Sequence, residues 1–520
     1  MFAVEFPAGV TTLLSRSAKV ANWHDSNLMR WDDITTLRPV NGWEQVPYPN
    51  LPGTSSPFAS RVRGMHKWVT QNGIYYTAFL CESHVYIDTG GTLADITPID
   101  GMDALGGTEA GYGEFNYNED TYGTPRAGNS TITKFSPAFS INNWGEDLLV
   151  MTSSDARLLI WSPSTPLSPL VRVPGSPFAR QFVVTPEHHC MLFGLQFDTF
   201  SDPGGVNGLG SFAHFGWCSS ENIEDWNFAD PLNTAGMFTV DPYAPIIAAH
   251  SSAVGITLHT PAMTHVVEYI GLPYVYRYRP IGKVPIPISA ASISSIPEGI
   301  VWISVEGYWM FNGSTADTIP CPVWDVISKN MDFERTVRES HSVSILAKGE
   351  IWWFWVDSSI SVSAARYVAI DYRSKVWMSG YLQRTCGITY ANDRFPIMSD
   401  GAKIWKHESG YSYPGAIFMP YLESQTMMVA DGERFGTITK LLADIAGDKS
   451  ALAFRLALQN DRSDYSSQKY THQRTVNQFG WVDIRETARD IRLRIDMIKN
   501  SDWSTVGPII FDIKPRGKKT

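Results

Sequence analysis

Few side chains in this sequence are spaced for chemistry. His188 and His189 are adjacent and precede an apolar strand. A metal centre needs three or four convergent ligands with outer-shell support. No HxxxH pattern and no cluster of Asp, Glu or Cys accompanies the pair, so a structural role is expected for both. Ser219, Asn222 and Trp226 in CSSENIEDWN resemble the turn of sialidase-type repeats, but its Gly and Asp are missing. A turn closed by local side-chain hydrogen bonds explains the segment equally well. Carboxylates are plentiful, and two at the right separation would make a glycosidase, yet nothing in the sequence places any two together. GxxxxGK[ST], GxGxxG between a strand and a helix, GxSxG and HExxH are all absent, which removes the commonest nucleotide enzymes, serine hydrolases and zinc proteases. No residue is therefore read as catalytic, cofactor-binding or metal-ligating, and no cofactor is expected.

What the sequence offers instead is a repeat. From about residue 74 to residue 410 a short apolar strand, a polar turn and a second strand carrying Trp or Tyr recur, as in GIYYTAFLCESHVYIDTGG, GIVWISVEGYWMFNGS and RFPIMSDGAKIWKHESG. Taking the first apolar strand of each unit as anchor gives Ile74, Leu148, Met191, Ile256, Ile300, Ile351 and Phe395. Four of the steps between them are 43, 44, 51 and 44 residues, and a four-stranded blade needs roughly 40–50. The two longer steps each contain a loop, residues 101–130 and the Gly-rich 198–211. The expected fold is all-β, a β-propeller of six or seven blades spanning 61–419.

Ile351 to Val356 (IWWFWV) does not alternate, so that strand is expected to be covered on both faces. Trp302, Trp353, Trp355 and Trp377 are expected in or beside blade cores. The loop at 101–130 holds Tyr112, Tyr117 and Tyr122 among glycines and acids. Loops this long are commonly functional, and these tyrosines are the candidate contact surface for a neighbouring subunit or for the channel mouth.

Beyond residue 420 the pattern changes. Leu452, Phe454, Leu456 and Leu458, then Ile491, Leu493, Ile495 and Met497, alternate with period two. One face in a core and one in water is expected. Residues 420–520 are read as a β-sandwich-like domain. Residues 1–60, with WDDITTLRPVNGWEQVPYPN, are read as short strands and turns that pack on a later domain and are candidates to complete it.

Composition narrows the function classes. The 520 residues carry 42 Lys and Arg against 52 Asp and Glu, a net charge of −10. That argues against general nucleic-acid binding, which relies on cations at phosphates. The 18 Trp and 22 Tyr suit half-buried strands and large contacts. Five scattered cysteines without CxxC spacing fit reduced thiols in a protein folded in a cytoplasm. No signal peptide and no membrane span is expected.

An ordered set of segments resembles the β-propeller tail proteins of bacteriophages. It comprises Asn27 to Trp31 with Leu37 to Glu44 (LRPVNGWE), Gly111 to Gly113 with Thr121 to Arg126, Asn143 to Leu149, Gly216 to Ser220 with Asp225 and Trp226, Glu350 to Phe354, and His407 to Gly410. The layout from Val254 to Val326 is similar to that of the nozzle, or hub, proteins of short-tailed phages. The resemblance implies a non-enzymatic virion protein, assembled in the host cytoplasm, that forms a homo-oligomeric ring of typically six copies. Such a ring sits below an adaptor and portal, carries fibres or spikes at its side, is closed by a tip or needle, and passes double-stranded DNA without binding it specifically. A net negative charge facing the conduit would keep phosphates from being held. A receptor-binding or glycan-binding propeller on the virion surface is the alternative, with a glycan-degrading propeller enzyme as a third reading.

Overall fold

The computed structural model describes residues 2–12, 21–32, 34–105, 136–195, 211–360, 365–390, 393–429, 434–460, 469–477, 479–506 and 508–517. Tyr112, Tyr117 and Tyr122, and nearly all of both long loops, lie outside the described residues.

Seven four-stranded antiparallel sheets follow one another. Their innermost strands are Val62–Val69, Phe139–Trp144, Gln181–Val184, Ala248–Ser252, Ile293–Ile296, His341–Ile345 and Cys386–Ile388. Each neighbours the next, and the seventh neighbours the first. This closed ring is a seven-bladed β-propeller. The upper face is where the innermost strands start and the lower face is where they end.

All seven sequence anchors fall at the second strand of a blade, not the first; Ile351, for example, lies in Glu350–Trp355. The reason is burial. The second strand is covered on both faces by its neighbours and reads as an apolar run, whereas the innermost strand lines the axis and carries polar residues. Ile351 to Val356 show this. Trp353 is fully buried and reaches the preceding blade, its indole N–H donating to Ser292 O at 3.0 Å. Trp352 turns the other way and stacks on Tyr367 at 4.3 Å. Trp302, also fully buried, packs against His259 of the fourth blade at 5.1 Å. Trp377 sits 5.0 Å from Tyr308 of the fifth blade, and Trp355 is buried beside Arg366.

The N-terminal residues divide between the propeller and the C-terminal sheets, so part of the propeller lies before residue 61. Trp43–Gln45 is the outermost strand of the seventh blade, paired with Ile404–His407. Arg384 holds this closure, its guanidinium 4.8 Å from the Trp43 ring and 5.8 Å from Trp405. At Gly42 the chain runs so close to Ser412 that a Cβ would lie 2.2 Å from its carbonyl oxygen. The other N-terminal strands enter the C-terminal sheets. Phe2–Val4 pairs with Ile509–Pro515, Trp23–Asn27 with Tyr421–Ser424, and Thr36–Pro39 with Trp503–Val506.

The C-terminal part is thus three sheets shared between the two ends of the chain. Its expected wet face is partly covered, since Ala453 and Ala457 are buried along with Leu452, Phe454 and Leu456. The assembly is fastened to the outer edge of the sixth blade, where Val10 N donates to Trp377 O at 3.0 Å, Ser26 Oγ to Ser379 O at 2.7 Å and Tyr381 N to Asn27 Oδ1 at 2.7 Å. Nearby, the buried Arg30 guanidinium is shared by Glu350 and Glu408. Two charges of one sign around one of the other are tolerable only with this density of charge-assisted hydrogen bonds.

Candidate functional site

Three places in the fold present side chains to a ligand or a partner. The first is the propeller axis. Successive innermost strands are stitched by polar side chains. His66 Nε2 lies 2.9 Å from Asn143 Oδ1, Phe182 N donates to Ser140 Oγ at 3.1 Å, and Ala249 N donates to Gln181 Oε1 at 2.9 Å. His250 Nε2 lies 2.8 Å from Ser295 Oγ, Ser294 Oγ donates to Ser342 Oγ at 2.9 Å, and Thr385 Oγ1 donates to Val62 O at 2.6 Å. The remaining junction, sixth to seventh, is apolar: a Cβ at Gly387 would lie 2.8 Å from Val343.

Inside this ring is a cavity of about 330 Å³. Its upper mouth is crossed by the end of the helix Phe333–Glu339, which Asp332 caps by accepting from Arg335 N at 3.1 Å. From across the axis, Ser136 Oγ donates to Val337 O at 3.0 Å and the Arg63 guanidinium donates to Arg338 O. A DNA duplex, whose major groove alone is about 12 Å wide, does not fit along this axis.

The second place is the lower face of blades two to four. The turns there lift apolar side chains into solvent: Leu167 (85% exposed), Leu232 (93%), and Leu272 and Tyr274 (76% each) with Tyr269 and Ile270. The last four top a two-stranded hairpin, Thr264–Gly271 with Val275–Gly282. Glu268 braces the hairpin base by ion pairs with Arg277 at 2.8 Å and Arg279 at 3.0 Å.

The third is a cleft of about 440 Å³ between the sixth blade and the C-terminal sheets. Glu423 accepts from Arg494 at 3.1 Å, from Arg492 at 3.4 Å and from the Tyr470 hydroxyl at 2.9 Å. Across the cleft Arg366 is paired with Asp357 at 3.0 Å and lies 4.1 Å over the Tyr381 ring. Burial and the Glu423 carboxylate push the Tyr470 hydroxyl up to about 12. Glu423 is held by three donors, which suits it to positioning the two arginines.

The residues singled out by sequence do not converge. His189 is buried, with Tyr276 OH 3.2 Å from Nδ1 and Thr234 Oγ1 3.3 Å from Nε2. His188 faces Glu221 at 3.2 Å on the surface. Among the described residues no three His, Cys, Asp or Glu side chains gather as metal ligands do. Ser219, Asn222 and Trp226 build a locally closed turn, with Ser219 N donating to Asp225 O at 2.9 Å and the Trp226 indole to Ile223 O at 2.6 Å. No helix among the described residues is long and apolar enough to cross a membrane. The polar residues of the axis were not visible in the sequence. Arg63, Gln181, His250 and His341 are single polar residues at or near strand starts, and only ring closure brings them together.

The sequence matches no known protein-family model and no curated protein. Among solved structures it is similar to β-propeller proteins. A streptogramin B lyase is 10% identical, with 70% of this chain and 96% of that chain covered and a TM-score of 0.37. The WD40 domain of Neurospora crassa Pan2 is 10% identical, with 74% and 98% covered and a TM-score of 0.37. YCF48, solved bound to a D1 peptide, is 8% identical, with 71% and 95% covered and a TM-score of 0.36.

Proposed function

We propose that this protein is a non-enzymatic structural component of a bacteriophage tail, a nozzle or hub subunit that assembles into a homo-oligomeric ring, with DNA leaving through the space between copies. The propeller fold itself fits a structural or binding role. The observation that carries the finer reading is the braced apolar hairpin tip of the fourth blade. A rigid apolar projection loses little conformational entropy when buried, and exposed apolar patches mark interaction sites. The blocked propeller axis directs any conduit to the space enclosed by a ring. The neighbours in this reading are an adaptor above, fibres or spikes at the side and a tip or needle below. The ordered tail-protein segments from Asn27 to Gly410 support it.

A receptor-binding or glycan-binding role is the second reading, favoured by the cleft with its arginines, Glu423 and half-covered tyrosines. Native mass measurement and imaging of the purified full chain, and of virions that carry it, separate the two. A closed ring with an axial tunnel is expected. Leu272→Asp should weaken the association constant between copies about tenfold or more, equivalent to about 1.4 kcal/mol, and leave thermal stability unchanged because Leu272 is 76% exposed. A free monomer, or a trimer at a fibre end, overturns the ring and moves the case to receptor or glycan binding.

A further inference from the structure

A fourth place opens on the C-terminal assembly, where the two ends of the chain meet: an apolar pocket of about 230 Å³. Trp23, Trp31, Leu37 and Ile509 are buried around it, and Phe6 lines it, stacked on Trp23 at 4.2 Å. The volume lies below the roughly 300–1,000 Å³ of small-molecule sites and suits a few apolar side chains. Ile34 also lines the pocket, yet it is 58% exposed and has a φ of 62°. A β-branched residue rarely occupies the left-handed region, and strain of this kind collects at binding sites. Nothing within one copy offsets it, because the Ile34 side chain is left in water.

The same chain carries an apolar projection left in solvent. Tyr269, Ile270, Leu272 and Tyr274 stand together on the tip of the fourth-blade hairpin. The two surfaces are also complementary in charge. The hairpin Thr264–Gly282 holds Arg277 and Arg279 against Glu268, a net positive charge, and the Arg277 side chain is 61% exposed. Among the described residues, the exposed Glu5 is the one charged residue lining the pocket. The pocket belongs to the assembly fastened at the sixth blade, two blades away from the hairpin. Each copy therefore offers a tip at one place and a receiving pocket at another, the arrangement from which a head-to-tail ring closes.

We propose that the fourth-blade hairpin tip of one copy inserts Leu272 and Tyr274 into the pocket beside Ile34 of the next copy. This rests on the ring reading above and names the surface that receives the tip.

The test is photo-cross-linking of the full chain carrying Tyr274→benzoylphenylalanine. Light and heavy isotope-labelled copies are mixed before assembly, irradiated and mapped by mass spectrometry. Adducts joining light to heavy copies at Phe6, 34–37 or 508–509 are expected. Ile34→Asp suits the left-handed backbone better than Ile, so it should stay folded and weaken the association constant about tenfold or more. Mixed with Leu272→Asp protein it should regain pairing, because one variant keeps its tip and the other its pocket. Adducts elsewhere, adducts confined to one copy, no adduct at about 1 mM protein, a concentration that populates even millimolar contacts, or undiminished association of Ile34→Asp would each overturn the contact. A closed ring with its adducts elsewhere sinks the contact and leaves the ring standing. Pocket adducts from copies that form no closed ring sustain the contact and sink the ring.

Discussion

Trp43 stands directly across a strand ladder from His407, their rings stacked 5.1 Å apart, so residues from the two ends of the propeller sequence complete one blade. Gly42 lets the two segments meet, because its N–H donates to Gly410 O at 2.7 Å while the position of a Cβ is occupied by Ser412. Gly42→Ala forces the segments apart and should cost about 1–3 kcal/mol, the range for overpacking a tight site. The denaturant midpoint of the variant measures it. An unchanged midpoint would mean that the closure yields without strain.

Trp353 fills the junction of the fifth and sixth blades. Trp353→Ala removes a fully buried ring and the bond to Ser292 O, and the expected loss is about 3–5 kcal/mol. Trp353→Phe keeps most of the volume and should recover more than half of that loss. Equal midpoints for the two variants would show that volume is not what the site requires.

Arg30 is the only cation bonded to the buried carboxylates of Glu350 and Glu408 among the described residues. Arg30→Met leaves two carboxylates out of water and should cost about 3–5 kcal/mol near neutral pH. Melting curves of variant and parent near neutral pH check this, and an unchanged midpoint would contradict it.

His259 and His341 give the parent protein its own acid sensitivity. Both are buried, and burial pushes each down to about 3. The unfolded chain takes up protons near the ordinary value of about 6.5 while the folded protein does not. Stability is therefore full above that value and falls as pH drops toward 3, by up to about 1.4 kcal/mol per pH unit for each histidine. Their effect is read as the change in that slope in the double variant His259→Gln, His341→Phe. A slope unaltered by removing both would assign the acid sensitivity elsewhere.

The sequence exposes what is apolar on two faces and hides what is polar on one. The second strands announced themselves as apolar runs such as IWWFWV, which is why the repeat was legible and the blade number narrowed to six or seven. The innermost strands were not, because His341, Gln181 and Arg63 look like ordinary strand-edge polar residues until the ring closes. The N-terminal strands were legible as strands from their punctuation. Their partners were not, since pairing Phe2 with Phe511, or Trp43 with His407, is a property of the three-dimensional path and leaves no local signal. The segment of Ser219, Asn222 and Trp226 is turn chemistry, closed by local hydrogen bonds.

Shared sheets also set a timetable. Phe2–Val4 has no ladder until residues 509–511 exist, and Trp43–Gln45 waits for residues 405–407. At about 5–20 residues per second, synthesis of the intervening chain takes on the order of 20–100 s, during which the N-terminal strands are without mates. A ribosome product that stops early cannot shut its last blade or cover its rim. Completion of the polypeptide is thus built into the geometry as a condition for a finished particle, and truncated copies carry open strand edges that proteases and chaperones can recognise.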